Sequence, residues 1–230
     1  MHPTTASLSS AWGMLQLSLN ICRRAGRIAR TFLVAAVCLA SASCAAPSAL
    51  TQSDISDSPP PLFSSAGQFV VDVPAVAPGP NSFIDGQGRT TDLSRFKGRV
   101  VLLNFWAPWC EACAEEMPSL DALAGRMSGT DLAVVPISVD RRSASIAKAF
   151  YEQHNISNLP FYVDQDMRTA YFPPANLHDA PFALKSLPRT FLLDRQGMIR
   201  GSVVGEVDWS SDAARALLAY YLTGSGATPR

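Results

Sequence analysis

Residues 68–224 predict an α/β fold with a mixed central β-sheet and helices against both of its faces. Three observations carry this. Apolar runs of strand length recur through the region, segments with helical spacing of apolar residues lie between or after them, and the two kinds follow the order β-β, β-α-β-α, β-β-α. The stretch holds about 155 residues, enough for one sizeable core, and no internal repeat divides it.

In chain order, NSFIDGQGRTTDL (81–93) reads as a hairpin turning at Gly86-Gln87-Gly88, and FKGRVVLLNFW (96–106) as a central strand. EACAEEMPSLDALAGRM (111–127) has helical periodicity. DLAVVPISVD (131–140) is a strand, SASIAKAFYEQHN (143–155) a helix and LPFYVD (159–164) a short strand. TAYFPPANLHDAPFALKS (169–186) is a long loop, open to two readings: one wall of a partner groove, or a solvated excursion. In LPRTFLLDRQGMIRGSVVG (187–205) two apolar runs flank Asp194-Arg195-Gln196-Gly197, a turn-forming cluster, which predicts an antiparallel hairpin. DWSSDAARALLAYYL (208–222) opens on Ser-Ser-Asp capping signals and spaces Ala213, Leu217, Leu218 and Tyr221 as a helix does.

The chemistry sits at the junction of the central strand and the first helix, where residues 106–113 read WAPWCEAC. Unpaired N–H groups and the macrodipole at a helix N-terminus stabilise a thiolate, the form of cysteine that attacks disulfides. Cys110 is therefore the candidate nucleophile. Two intervening residues keep Cys113 in the first turn, within reach of a disulfide with Cys110 but buried, which makes it the candidate resolving thiol. A zinc site needs about four ligands; the chain has no second Cys-x-x-C pair, and His154 and His178 stand alone. A purely structural disulfide across so short a loop removes little unfolded-state entropy.

Cys22, Cys38 and Cys44 lie in a leader with arginines at 23, 24, 27 and 30, no acidic residue, and the apolar stretch TFLVAAVCLASA. At about 12 residues that stretch is short for a membrane span of roughly 20, and residues 1–46 read as an export signal or an N-terminal membrane anchor. Small residues at 41–46 suit signal-peptide cleavage, with lipidation at Cys44 as the alternative. Residues 47–67, rich in Pro, Ser, Ala and Asp, read as a flexible tether, and 68–230 as the domain. Beyond the leader there are 15 basic and 19 acidic residues, a net charge of −4, which argues against nucleic acid as a partner. The exported part carries Cys110 and Cys113 alone, and in an oxidising compartment such a pair is an inert staple or a redox couple kept reduced by a dedicated supply.

The blocks GRVVLLNFWAPWCEACAEEMPSL, LPRTFLLDRQG and VVGEVDWSSDAARALL together resemble the thioredoxin fold, and within it the exported TlpA/ResA group of thiol–disulfide oxidoreductases, the last block being most like the TlpA branch. The resemblance covers about residues 80–224. It implies a cis bond at Pro188, with the backbone before it, at Leu187, free to bind a partner peptide. It also implies an active-site role for Glu116, leaving Glu115 as a surface charge. The buried aspartate of ordinary thioredoxins falls at Asn104, which cannot titrate, so Glu116, one turn from Cys113, is the available acid for moving its proton. Trp106 reads as core and Trp109 as a cover of the active-site surface. Glu111 beside Cys110 disfavours the thiolate and tilts the couple toward a reductant. No metal or organic cofactor is implied. The expected substrates are disulfides of periplasmic proteins in cytochrome maturation or copper-site assembly, with a membrane thiol transporter as electron donor. A Sco-like copper chaperone and a disulfide-forming oxidant on the same fold are the alternatives; the former uses a wider cysteine spacing with three intervening residues.

Overall fold

A computed structural model describes residues 58–224 apart from residue 177; the leader with Cys22, Cys38 and Cys44, and residues 47–57 of the expected tether, lie outside the described residues. The strands are β1 (Phe63–Ser64), β2 (Gly67–Gln68), β3 (Val70–Val76), β4 (Phe83–Asp85), β5 (Thr90–Thr91), β6 (Val100–Trp106), β7 (Leu132–Ser138), β8 (Tyr162–Val163), β9 (Ala170–Tyr171), β10 (Phe182–Ala183), β11 (Arg189–Leu193) and β12 (Ile199–Val204). The helices are α1 (Glu111–Arg126), α2 (Ala144–Gln153) and α3 (Asp212–Leu222). Eight strands form one mixed sheet in the order β3-β12-β11-β6-β7-β8-β4-β5. At its centre β6, buried at all seven positions, runs parallel to β7 and antiparallel to β11. A strand sealed on both sides can be apolar throughout, which is why VVLLNFW reads as a run and not an alternation.

Both hairpins form where expected and are closed by the same device. Asp85 Oδ1 accepts from the N–H groups of Gln87 (2.9 Å) and Arg89 (3.0 Å), and Asp194 Oδ1 from those of Gln196 (3.0 Å) and Met198 (2.9 Å). The aspartate side chain satisfies the turn's donors while Gly88 and Gly197 take the positive φ that the turn requires (77° and 82°).

The two faces of the sheet are covered differently from the expected helices on both: the parallel crossovers β6-α1-β7 and β7-α2-β8 step the same way across the sheet, so both helices fall on the face that α3 also covers, and among the described residues no α-helix packs on the other. Buried residues of α1, α2 and α3 join Val100, Leu102 and Trp106 in one core cluster. Across the sheet, Val101, Leu103 and Phe105 pack with Phe191, Leu193, a 3₁₀ turn at Leu93–Phe96, and Ala170, Phe182 and Leu184. The segment expected as a long loop is thus largely cover: β9 and β10 pair in parallel within it, and Phe182 and Leu184 are buried. Its turn residues, with a second cis bond at Pro173-Pro174, hide this in the sequence.

Two boundaries differ from expectation. β3, to which the sequence reading assigns nothing, pairs with β12 at the sheet edge, where Pro74 is tolerated because an edge strand has a side without ladder bonds. Residues 62–67, assigned to the tether by composition, belong to the folded unit. Leu62 is buried, β1 and β2 form a hairpin, Ser64 Oγ donates to the Val204 carbonyl, and Ser65 Oγ bonds the Glu206 carboxylate. The seam is tight: Gly205 has φ +84°, and a Cβ there would lie 2.7 Å from that of Ala66.

Candidate active site

Strand β6 ends at Trp106, and the chain turns through Ala107-Pro108-Trp109 into α1. The Cys110 N–H donates to the Ala107 carbonyl (3.1 Å) and the Ala114 N–H to the Cys110 carbonyl (3.1 Å), so Cys110 is the N-cap of the helix. Its Sγ accepts the Cys113 N–H at 3.1 Å. A sulfur in that place faces the unpaired donors and the positive end of a 16-residue helix, the setting that favours a thiolate. The two cysteines form a disulfide, with S–S 2.08 Å and Cα–Cα 5.2 Å. Cys113 is wholly enclosed and Cys110 is 9% exposed, next to Trp109 at 59%.

The strand register brings a second element to this end of the sheet. Arg189 of β11 stands opposite Phe105 of β6, so Pro188 lies level with Trp106, where the cysteine turn emerges. The Leu187–Pro188 bond is cis. Pro188 is buried, its carbonyl accepts the Gly205 N–H at 3.0 Å, and half-buried Leu187 packs against both core clusters. Trp106, fully buried, stacks on Tyr151 and packs at a tilt against Phe150, both of α2, which separates its role from that of exposed Trp109.

One turn into α1, Glu116 points into the core at 2% exposure, whereas Glu115 and Glu111 are exposed. Its Oε1 accepts from Trp209 Nε1 (2.8 Å) and the Val207 N–H (3.2 Å), and its Oε2 from Asn104 Nδ2 (2.8 Å). Burial outweighs these three donors, with a small further push from the charge of Glu206, and the carboxyl is raised to about 7. A carboxyl there gains and loses a proton near neutrality, beneath Cys113 on the same helix face. Ser119 holds the 207–209 loop in place, accepting from the Trp209 N–H (3.1 Å) with its single hydroxyl hydrogen shared between the Glu116 and Val207 carbonyls (2.9 and 3.3 Å).

Cys110, Cys113, Glu116, Trp109, Leu187 and Pro188 are thus placed at or beneath one end of the sheet. What the sequence reading missed are the groups that hold Glu116: Trp209, Val207 and, through Asn104, Thr190. Trp209 and Val207 lie 93 and 91 residues from Glu116, and only the antiparallel return of β12 brings them there. Among the described residues no group of three or more His, Cys, Asp or Glu side chains is placed to hold a metal ion, and no helix is long and apolar enough to cross a membrane.

Residues 70–202 match the model of the AhpC/TSA family. The chain belongs to that family. Among curated proteins of similar sequence, thiol-disulfide oxidoreductase ResA of Bacillus cereus (strain ZK / E33L) is 26% identical over 122 residues, 53% of this chain and 64% of the relative. Thioredoxin-like protein YneN of Bacillus subtilis (strain 168) is 31% identical over 120 residues, 51% and 64% of the two chains. The chain therefore spans about 64% of the length of these curated relatives. Of solved structures, a candidate thiol:disulfide interchange protein DsbE from Chlorobium tepidum superimposes with TM-score 0.53 at 24% identity, over 66% of this chain and 99% of the other. A thiol:disulfide interchange protein of the thioredoxin family from Chlorobium tepidum TLS gives 0.50 at 20%, over 64% and 97%. The fold of this AhpC/TSA member is thioredoxin-like, and its likeness to the TlpA/ResA group is carried by relatives that bear the ResA name.

Proposed function

We propose that the protein is an exported thiol–disulfide oxidoreductase that reduces disulfides in partner proteins through Cys110 and Cys113. The observation that carries this reading is the division of labour at the start of α1: a sulfur at the N-cap beside exposed Trp109, a second sulfur enclosed behind it, and an ionisable carboxyl one turn deeper.

In the reduced protein the Cys110 thiolate attacks one sulfur of a partner disulfide. The partner's S–S bond breaks, one partner thiolate leaves, and a mixed disulfide joins Cys110 to the other. Cys113 then gives its proton to Glu116 and its thiolate attacks Cys110 Sγ. The mixed disulfide breaks, the second partner thiolate leaves, and the Cys110–Cys113 disulfide seen here is the product; two electrons have passed to the partner. Trp109, Leu187 and the backbone before Pro188 receive the partner segment. No cofactor enters these steps. A membrane thiol transporter resets the pair, the partners are periplasmic proteins of cytochrome maturation or copper-site assembly, and the domain works in the periplasm or at the outer face of the cytoplasmic membrane, cleaved free, anchored by its leader or lipidated at Cys44.

The purified protein, given dithiol, should reduce a disulfide-bonded test protein; Cys110→Ser should abolish this and Cys113→Ser should accumulate mixed disulfides. Undiminished turnover in Cys110→Ser removes the assignment. The equilibrium potential should lie nearer the roughly −270 mV of thioredoxin than the about −120 mV of DsbA; a value near the latter makes the protein an oxidant.

A further inference from the structure

Asn104 lies fully buried in the middle of β6, paired in the sheet with Pro136 of β7 and Thr190 of β11. Its Nδ2 commits both hydrogens, one to Glu116 Oε2 at 2.8 Å and one to Thr190 Oγ1 at 2.9 Å, while its Oδ1 is buried without a partner. The two ends of a carboxamide have nearly the same shape. Turned through 180°, the same side chain would place Oδ1 where Nδ2 now stands, able to accept from a protonated Glu116 Oε2 and from the Thr190 hydroxyl. Either orientation makes two bonds and leaves one end unpaired, so the Asn104 contacts alone do not choose between them.

Glu116 supplies the choice. Its Oε1 is held by two groups that can only donate, the Trp209 indole N–H and the Val207 amide. A proton taken up by the carboxyl therefore resides on Oε2, where it either meets the Asn104 Nδ2 hydrogens head-on or sits on the second lone pair, at which no hydrogen bond is formed. Donor against donor is repulsive, and the repulsion is relieved when the amide turns over.

We infer that Asn104 is a positioning residue for Glu116, whose carboxamide turns over as the carboxyl gains or loses its proton and reverses the hydrogen bond of the Thr190 hydroxyl two residues beyond Pro188. This rests on the reading that Glu116 exchanges a proton with Cys113. The state of the proton store under the cysteines is thereby written into the strand that leads away from the partner-binding end of the sheet.

The test uses the oxidised protein, in which the cysteines do not titrate. The Asn104 side-chain amide (¹⁵N, ¹H) and the Glu116 carboxyl carbon are followed together by NMR across a pH range centred on about 7. The two should titrate with one midpoint, and the hydrogen bonds from the Asn104 amide should be present above it and lost below. In Glu116→Gln the new Nε2 donates toward Asn104, so the amide should sit in its turned orientation at every pH. Thr190→Val should move the shared midpoint and Thr190→Ser restore it. The other ionisable groups bordering this site are Cys113 on α1, closed in the disulfide, Glu206 in the loop after β12, and, farther off, His154 at the C-cap of α2, stacked on Phe150, which in turn packs on Trp106. The midpoint should therefore survive His154→Gln. An Asn104 amide that stays constant while Glu116 titrates, a Glu116 that does not titrate, or a Glu116→Gln amide that matches the parent at high pH would each overturn the inference. None of these signals depends on turnover, so they fail separately from the exchange assay.

Discussion

Along β6 the side chains of Val101, Leu103 and Phe105 meet an apolar layer, while Val100, Leu102, Asn104 and Trp106 meet the helices. On the first side Phe105, Phe182 and Phe191 pack with ring centroids 4.8 to 6.0 Å apart. On the other, a carboxyl, a carboxamide and a hydroxyl from Glu116, Asn104 and Thr190 sit in an equally dry interior. Burying a carboxyl costs stability, and here three donors offset only part of that cost. The lesson is one of division: one face is held by apolar contacts alone, and the helical face carries a buried carboxyl that costs stability.

The largest effect expected from this contrast is structural. Phe182→Ala, on the face without α-helices, should lower unfolding free energy by about 3 to 5 kcal/mol in a denaturant titration while leaving the pH midpoint of disulfide exchange in place. A shifted midpoint would mean that the faces are not separable.

Glu116→Gln should do the converse. The folded-state pKa of Glu116 is raised, so between about 4.5 and 7 the folded protein holds a proton that the unfolded chain has released. Stability contributed by this group therefore falls as pH rises through that window, and the full penalty, about 3 kcal/mol, is present above it. Glu116→Gln should remove this slope and gain stability at pH 8, while slowing exchange by about 10²-fold through loss of the base. Glu115→Gln, at an exposed position on the same helix, should do neither; identical behaviour of the two variants would make Glu116 a structural charge only.

Smaller changes are expected at the surface. Trp109→Ala should weaken partner capture several-fold in KM with kcat nearly kept, as loss of about 1 kcal/mol of apolar contact implies. Glu111→Gln should shift the couple toward oxidant by about 10 to 20 mV, the scale of an exposed charge worth up to about 1 kcal/mol. A shift in the reducing direction would contradict the sign assigned to Glu111.

How much of this was readable in the chain follows from distance along it. Cys110 at an N-cap, Cys113 three residues on and Glu116 a turn later are local facts, and local periodicity carries them. Asn104 shows in the sequence as a residue that cannot titrate, but not as the one that touches both Glu116 and Thr190, because that requires β11 to return alongside β6. Trp209 reads as an aromatic before a helix cap and nothing more. Phe182 and Leu184 are masked by the turn-forming residues around them, since the sequence gives no sign that, among the described residues, the second face has no α-helix and needs another cover.

The close approach of Gly205 to Ala66 also fixes where the folded unit begins. Because the hairpin at 62–67 is stitched onto the domain, a leash drawn from the leader ends at residue 61, six residues sooner than composition suggests, and loses about 20 Å of its reach. The hairpin is fastened at Val204 and Glu206, next to Val207, whose N–H donates to the Glu116 carboxylate.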